Sequence, residues 1–160
     1  MKHAAIFVVA LILAACPHGG ADTTPTRPST PKEVVAGARA TIEQWRQAHQ
    51  VRSLDGLEKL YVHTIDLVVV EDGVPLVGWT SVEGMLKDRF NRYKDVQIRL
   101  KDIQVVSLGP TSAVATASMT RELGDGVTTT QESGALTVVL RKEGDAWLIV
   151  TEHYSYKRST

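Results

Sequence analysis

Ile65-Asp66-Leu67-Val68-Val69-Val70-Glu71-Asp72-Gly73-Val74-Pro75-Leu76-Val77-Gly78-Trp79-Thr80-Ser81-Val82-Glu83 is the stretch in which the chain changes period twice. Residues 65–71 are rich in β-branched side chains, and Asp72-Gly73 is a hairpin turn signal. Leu76-Val77 returns as an edge strand, because Pro75 has no N–H to give to a ladder. Thr80-Ser81-Val82-Glu83 then spells a capping box, in which Thr80 and Glu83 satisfy each other's free backbone donors. It opens a helix running to about Tyr93, with Val82, Leu86, Phe90 and Tyr93 on its buried stripe and Met85 and Arg89 beside them. A hairpin followed at once by an amphipathic helix commits the domain to mixed α and β structure.

Upstream, residues 33–50 carry Val35, Ala38, Ile42, Trp45 and His49 at alternating spacings of three and four, one face of a helix. Arg39 and Glu43 form an i,i+4 pair on another face. Ser53 suits an N-cap for a second, short helix whose buried side is Leu54, Leu57, Leu60 and Tyr61. Downstream, strands are expected over residues 96–107, 113–122, 127–141 and 146–156. Gly109-Pro110, Gly124-Asp125-Gly126 and Glu143-Gly144-Asp145 separate them, and connections this short make antiparallel neighbours. Three helices, a short hairpin and four long strands give an α+β domain.

The chain has 160 residues, 43% of them apolar and 22% charged, with a formal net charge of zero. No basic patch or aromatic-interleaved Lys/Arg run is present, so nucleic acid is excluded as a partner. Met1-Lys2-His3 is short and basic, and residues 4–15 carry no charged or polar side chain. As a helix this run spans about 18 Å, against a hydrocarbon core of roughly 30 Å, so it reads as a cleaved signal peptide over residues 1–15. Leu13-Ala14-Ala15-Cys16 resembles the lipobox of bacterial lipoproteins, which makes Cys16 the lipidated first residue of the mature chain. Cys16 is the only cysteine, so acylation also removes a lone thiol from an oxidising compartment. Residues 16–32 are then the lipidated Cys and a Pro/Thr-rich tether, residues 33–157 the domain and 158–160 a tail. By the same resemblance the protein sits in the cell envelope, on the periplasmic side of the outer membrane, since Pro17 rather than an aspartate follows Cys16.

Leu54-Asp55-Gly56-Leu57 with Leu60-Tyr61, Asp72-Gly73 with Gly78 before the next helix, and Trp147, His153 and Ser155 in the spacing W-x5-H-x-S come in one order. In that order the chain resembles the nuclear transport factor 2-like superfamily, specifically its SnoaL-like branch. The resemblance implies three N-terminal helices packed on a strongly curved, mainly antiparallel sheet in a cone-shaped domain, and a homodimer. In ketosteroid isomerases, a related branch, a carboxylate moves the proton and a tyrosine holds the oxyanion. Alignment on Leu-Asp-Gly places the tyrosine position at Trp45 and the base position within Val68-Val69-Val70, which has no titratable group. Chemistry of that type is disfavoured.

Other side chains are candidates for a ligand site. Trp45, His49, Tyr61, Trp79, Met85 and Phe90 are expected either to line a small cavity or simply to fill the core. Arg121 follows Ala113, Ala115, Ala117 and Met119 in strand parity, so it is an anion clamp if that face is inside and a surface charge if it is not. His153 shares the parity of Trp147, Ile149 and Thr151, and by the resemblance it points inward as the one acid/base candidate. His49, His63 and His153 lack any local metal-ligand pairing, so no metal and no cofactor are expected. No G-x-S-x-G motif supports a nucleophilic serine. The expected function is a non-catalytic module binding a small apolar or carboxylate ligand, or serving assembly. The alternative is an enzyme of the same superfamily acting on a small cyclic or polyketide-like substrate.

Overall fold

The computed structural model describes residues 27–158. The signal peptide, Cys16 and most of the tether lie outside the described residues. Helix α1 spans Pro31–Gln50 and starts two residues earlier than expected, because Thr30 caps it: its hydroxyl accepts from Glu33 N, and the Glu33 carboxylate accepts from Thr30 N. Helix α2 spans Leu54–Glu58, with Ser53 Oγ accepting from Gly56 N at 3.0 Å as expected of an N-cap. Strands β1 (Val68–Glu71) and β2 (Val74–Val77) form the hairpin around Asp72 and Gly73, both with positive φ. That is the backbone an Asp-Gly turn supplies.

Helix α3, Trp79–Arg92, departs from the expected start. Its N-cap is Gly78 at φ +77 with no side-chain cap, so Thr80 lies inside the first turn and the Thr80/Glu83 box does not form. Glycine takes the left-handed entry without steric cost, which turns the edge of β2 straight into the helix. On α1, Glu43 pairs with Arg46 rather than Arg39, and Arg39 reaches the carbonyl of Ile103 at 2.9 Å.

Four long strands follow: β3 (Asp95–Gly109), β4 (Ser112–Gly124), β5 (Thr129–Glu143) and β6 (Ala146–Arg158). They pair antiparallel in sequence order, and β1 lies parallel to β6. The sheet order is β2-β1-β6-β5-β4-β3. This corrects the expected cone with a strongly curved, mainly antiparallel sheet: the domain is α+β, but its helices pack on a mixed sheet that is neither strongly curled nor closed. Its two ends do not pair with each other: β2, a four-residue strand containing Pro75, is one edge, and β3, a fifteen-residue strand, is the other.

The core lies between the helices and one face of this sheet. Val34, Ala38, Ile42 and Trp45 of α1 and Val82 and Leu86 of α3 meet Ala113, Ala115, Leu136, Val138 and Ile149 of the strands. Within β6 the register slips between Val139 and Leu140 of its partner, leaving Val150 as a bulged residue. Trp147 and Ile149 face the core before the bulge, and Glu152 and Tyr154 face it afterwards. One extra residue has exchanged the two faces of the strand.

Candidate functional site

Where β1, α3 and the ends of β4 to β6 meet, four charged side chains converge on a cleft of about 320 Å³. Glu71 closes β1 on the same face as buried Val69, two residues beyond. Arg89 of α3 forms an ion pair with its Oε2, and Arg121 reaches its Oε1 at 2.8 Å. Arg121 also pairs with Glu132, its cross-strand partner on β5, at 2.7 Å. The Tyr156 hydroxyl accepts from Arg121 and donates to Glu71, each at 2.5 Å. Asp72, Met85, Asp88, Arg92, Tyr93 and Leu123 complete the walls. Burial pushes the Glu71 carboxyl up, but the guanidinium charges of Arg89 and Arg121 outweigh it and hold the pKa at about 2.

Behind this cluster lies a second, fully buried carboxyl. Glu152 sits on β6 directly beside Val69 of β1. Its two oxygens accept from the Tyr61 and Tyr154 hydroxyls, the latter at 2.6 Å, and Trp45 Nε1 donates to the Tyr61 oxygen at 2.9 Å. Desolvation dominates here and raises the pKa to about 7, against the lowering effect of the two phenols. Burial, then the Glu152 charge, pushes both tyrosines well above their usual range. They remain neutral donors.

Several residues singled out from the sequence converge around this place. Trp45 and Tyr61 belong to the buried network, Met85 lines the cleft, and Arg121 lies on the inner face, 3% exposed. Phe90 packs edge-on to His49, with ring centroids 6.0 Å apart. His49 is buried against Trp45 at 4.5 Å, and burial followed by the charges of Arg89 and Arg121 keeps its pKa well below 6.5. Trp79 is more peripheral, stacked under His63 at 5.0 Å and tilted against Tyr61 at 5.6 Å. His153 stands apart: it follows the bulge, is exposed, and lies on the opposite face of β6 from Glu152 and Tyr154.

The groups absent from the site expected from the sequence are Glu71, Glu132, Glu152, Tyr154 and Tyr156, with Arg89 expected only beside the buried stripe of α3. The base position sought within residues 68–70 is empty, but the next inward residue of that strand, Glu71, brings a carboxylate. Tyr154 and Tyr156 keep even parity while Trp147 keeps odd parity, and that mismatch was the available signal for the bulge.

Guanidiniums can only donate, and ionised carboxylates can only accept. The cleft therefore suits a small oxygen-bearing ligand whose carbonyl faces Arg89 and Arg121 while a C–H or O–H faces Glu71. Its volume is at the small end of the roughly 300–1,000 Å³ of small-molecule sites, enough for one or two rings. Among the described residues no three His, Cys, Asp or Glu side chains are grouped to hold a metal ion.

The fold has many structural counterparts. A candidate dehydratase of the NTF2-like family from Streptomyces avermitilis superposes with a TM-score of 0.71 at 20% identity, over 78% of this chain and 96% of its own. A candidate scytalone dehydratase from Novosphingobium aromaticivorans gives 0.69 at 10% identity, over 78% and 83%. An NTF2-like superfamily protein from Salmonella enterica gives 0.71 at 15% identity, over 81% and 93%. At these identities the likeness is one of fold. No curated protein matches the chain significantly. The family model for the SnoaL-like domain matches residues 38–159, and the chain belongs to that family, within the nuclear transport factor 2-like superfamily.

Proposed function

We propose that the domain is an acid–base enzyme that removes water from a small, polyketide-like hydroxy ketone of one or two rings. The observation that carries this reading is the cleft floor, where the Glu71 carboxylate is shared between Arg89, Arg121 and the Tyr156 hydroxyl at the edge of solvent. Two structural neighbours described as candidate dehydratases support it. Glu71 takes the proton from the carbon between the carbonyl and the hydroxyl-bearing carbon. The electron pair moves onto the carbonyl oxygen, which draws the N–H groups of Arg89 and Arg121. Glu71 thereby loses the contacts that hold its pKa near 2 and becomes basic enough to keep the proton. Collapse of the enolate breaks the C–O bond, and Glu71 hands its proton to the departing hydroxide as water. The acid–base group in this reading is Glu71, because His153 is on the exposed face.

A direct test uses β-hydroxy ketones, among them 3-hydroxy-1-tetralone, whose dehydration gives fluorescent 1-naphthol. Turnover should fall at least about 100-fold in Glu71→Gln, with circular dichroism confirming the fold. Stabilisation by these compounds without conversion would instead establish a non-catalytic binding module.

We also propose that the domain is carried on the envelope membrane through a lipidated Cys16 and the tether after it, with two copies pairing through their sheets. The lipobox supports the anchor, and the test is metabolic labelling with an alkyne fatty acid. Label in the native chain but not in Cys16→Ser is expected, and label in both would refute the anchor.

A further inference from the structure

His49 is 1% exposed, and neither of its ring nitrogens has a hydrogen-bond partner among the described residues. A neutral imidazole carries one donor and one acceptor, so two needs are unmet. Buried polar groups in folded proteins are overwhelmingly paired, and an orphan points to an occupant. No neighbouring group supplies the partners. Trp45, 4.5 Å away ring to ring, gives its N–H to Tyr61, and Phe90 has nothing to give. Tyr61 and Tyr154 give their hydroxyl protons to Glu152, and Arg89 and Arg121, the cations that act on the ring, pair with Glu71 and Glu132 rather than with His49. The ring lies between α1 and α3, beside Phe90, whose chain neighbour Arg89 forms the cleft floor.

We infer that His49 is the inner anchor of the ligand site: a ligand seated over Glu71 and Arg121 extends between α1 and α3, where an oxygen at its inner end hydrogen-bonds the ring. The inference rests on the cleft assigned above, not on the chemistry proposed for it. With its carbonyl held over Arg89 and Arg121, the ligand brings a hydroxyl at its inner end to the ring, where it donates to the unprotonated nitrogen. A phenylalanine in place of His49 would fill the space with nothing left to satisfy. His49 is thus a residue that binding needs and folding does not.

The test uses 6-hydroxy-1-tetralone, which has a carbonyl and a hydroxyl but no leaving group, with the full chain carrying 15N-labelled histidine. Adding the probe should move both His49 nitrogen resonances. His49→Phe should raise Tm by about 4 °C in the absence of probe and weaken probe binding about tenfold or more. His49→Gln, which offers a donor and an acceptor, should stay within a few-fold of the native affinity. Equal binding by His49→Phe, no binding by the native chain, or unmoved resonances, as for a ring served by water alone, would each overturn the inference. Turnover of 3-hydroxy-1-tetralone, followed in parallel, separates the two proposals. Binding through His49 without naphthol refutes dehydration alone, and naphthol from an unimpaired His49→Phe refutes the anchor alone.

Discussion

Glu71 and Glu152 stand on neighbouring strands, two residues apart in register, and their surroundings drive them in opposite directions. Glu152 is desolvated and bonded only by neutral phenols, which raises its pKa from 4.5 to about 7. Desolvation acts on Glu71 as well, but two guanidiniums more than offset it. Glu71 therefore contributes stability that is complete above pH 4.5 and fades as pH falls toward 2. Glu152 has the reverse sign: the folded state holds its proton more tightly than the unfolded chain does, and that advantage is lost as pH rises from about 4.5 to about 7. A shift of this size corresponds to roughly 3 kcal/mol at about 1.4 kcal/mol per pH unit. Buried His49, whose pKa is held well below 6.5, adds the opposite slope below about pH 6.5 in both proteins, so Glu152 is read from the difference between them. In urea unfolding at pH 5, 6 and 7 the native chain should lose stability on that order relative to Glu152→Gln, which still accepts from one phenol and can donate to the other. Parallel slopes in the two proteins would show that Glu152 does not titrate there. Little of this was legible beforehand, since Arg89 and Arg121 could be seen but their partners come from strands far away in sequence.

At the scale of elements, the helices, the hairpin and the four strands could be read from period and turn chemistry, because each is governed by residues close in sequence. The face presented by β6 could not. Parity from Trp147 forward leads to His153, and the bulge at Val150 replaces it with Glu152, Tyr154 and Tyr156. A bulge answers to a partner strand, so one strand alone carries only the faint sign of mismatched aromatic parity. The start of α3 differs from its sequence signal for a similar reason: Gly78 sets the entry angle and leaves the Thr80/Glu83 pair unused. Two glycines give opposite predictions in strand and helix. A Cβ on Gly134 would lie 1.8 Å from the backbone oxygen of Ser155, on the strand that delivers Tyr156 to the cleft. Backbone cannot step aside as a side chain does, so Gly134→Ala should cost at least about 3 kcal/mol in denaturant unfolding. Gly84 in α3 has open space where a Cβ would go, and Gly84→Ala should add about 1 kcal/mol through helix propensity. A Gly134→Ala protein as stable as the native chain would mean that β5 and β6 do not approach this closely.

Across the whole molecule, the open sheet leaves one part of the fold hydrogen-bonded along a single strand edge. Strands β3 to β6 form a continuous antiparallel ladder under α1, whereas the β1–β2 hairpin pairs with it through the parallel edge with β6, and α3, which follows the hairpin, packs Val82 and Leu86 into the core. The Glu71 cluster ties these parts together, because Arg89 comes from α3, Glu71 from β1, Arg121 from β4 and Glu132 from β5. Removing the carboxylate leaves two nearly buried guanidiniums short of a partner, 7% and 3% exposed, which typically costs about 3 kcal/mol or more. That loss should not be uniform. In Glu71→Ala, amide exchange should accelerate most over Trp79–Arg92 and Val68–Val77, while the β4–β5 ladder keeps most of its protection, since its own hydrogen bonds and core contacts remain. Glu71→Gln, which keeps a polar oxygen facing both cations, should fall between native and Ala. The same residue that is proposed to move the substrate proton would then also hold α3 against the sheet, so ligand release and the mobility of α3 would be linked through one carboxylate. Equal acceleration in α3 and in β4 would refute the tie and show that the domain opens as one unit.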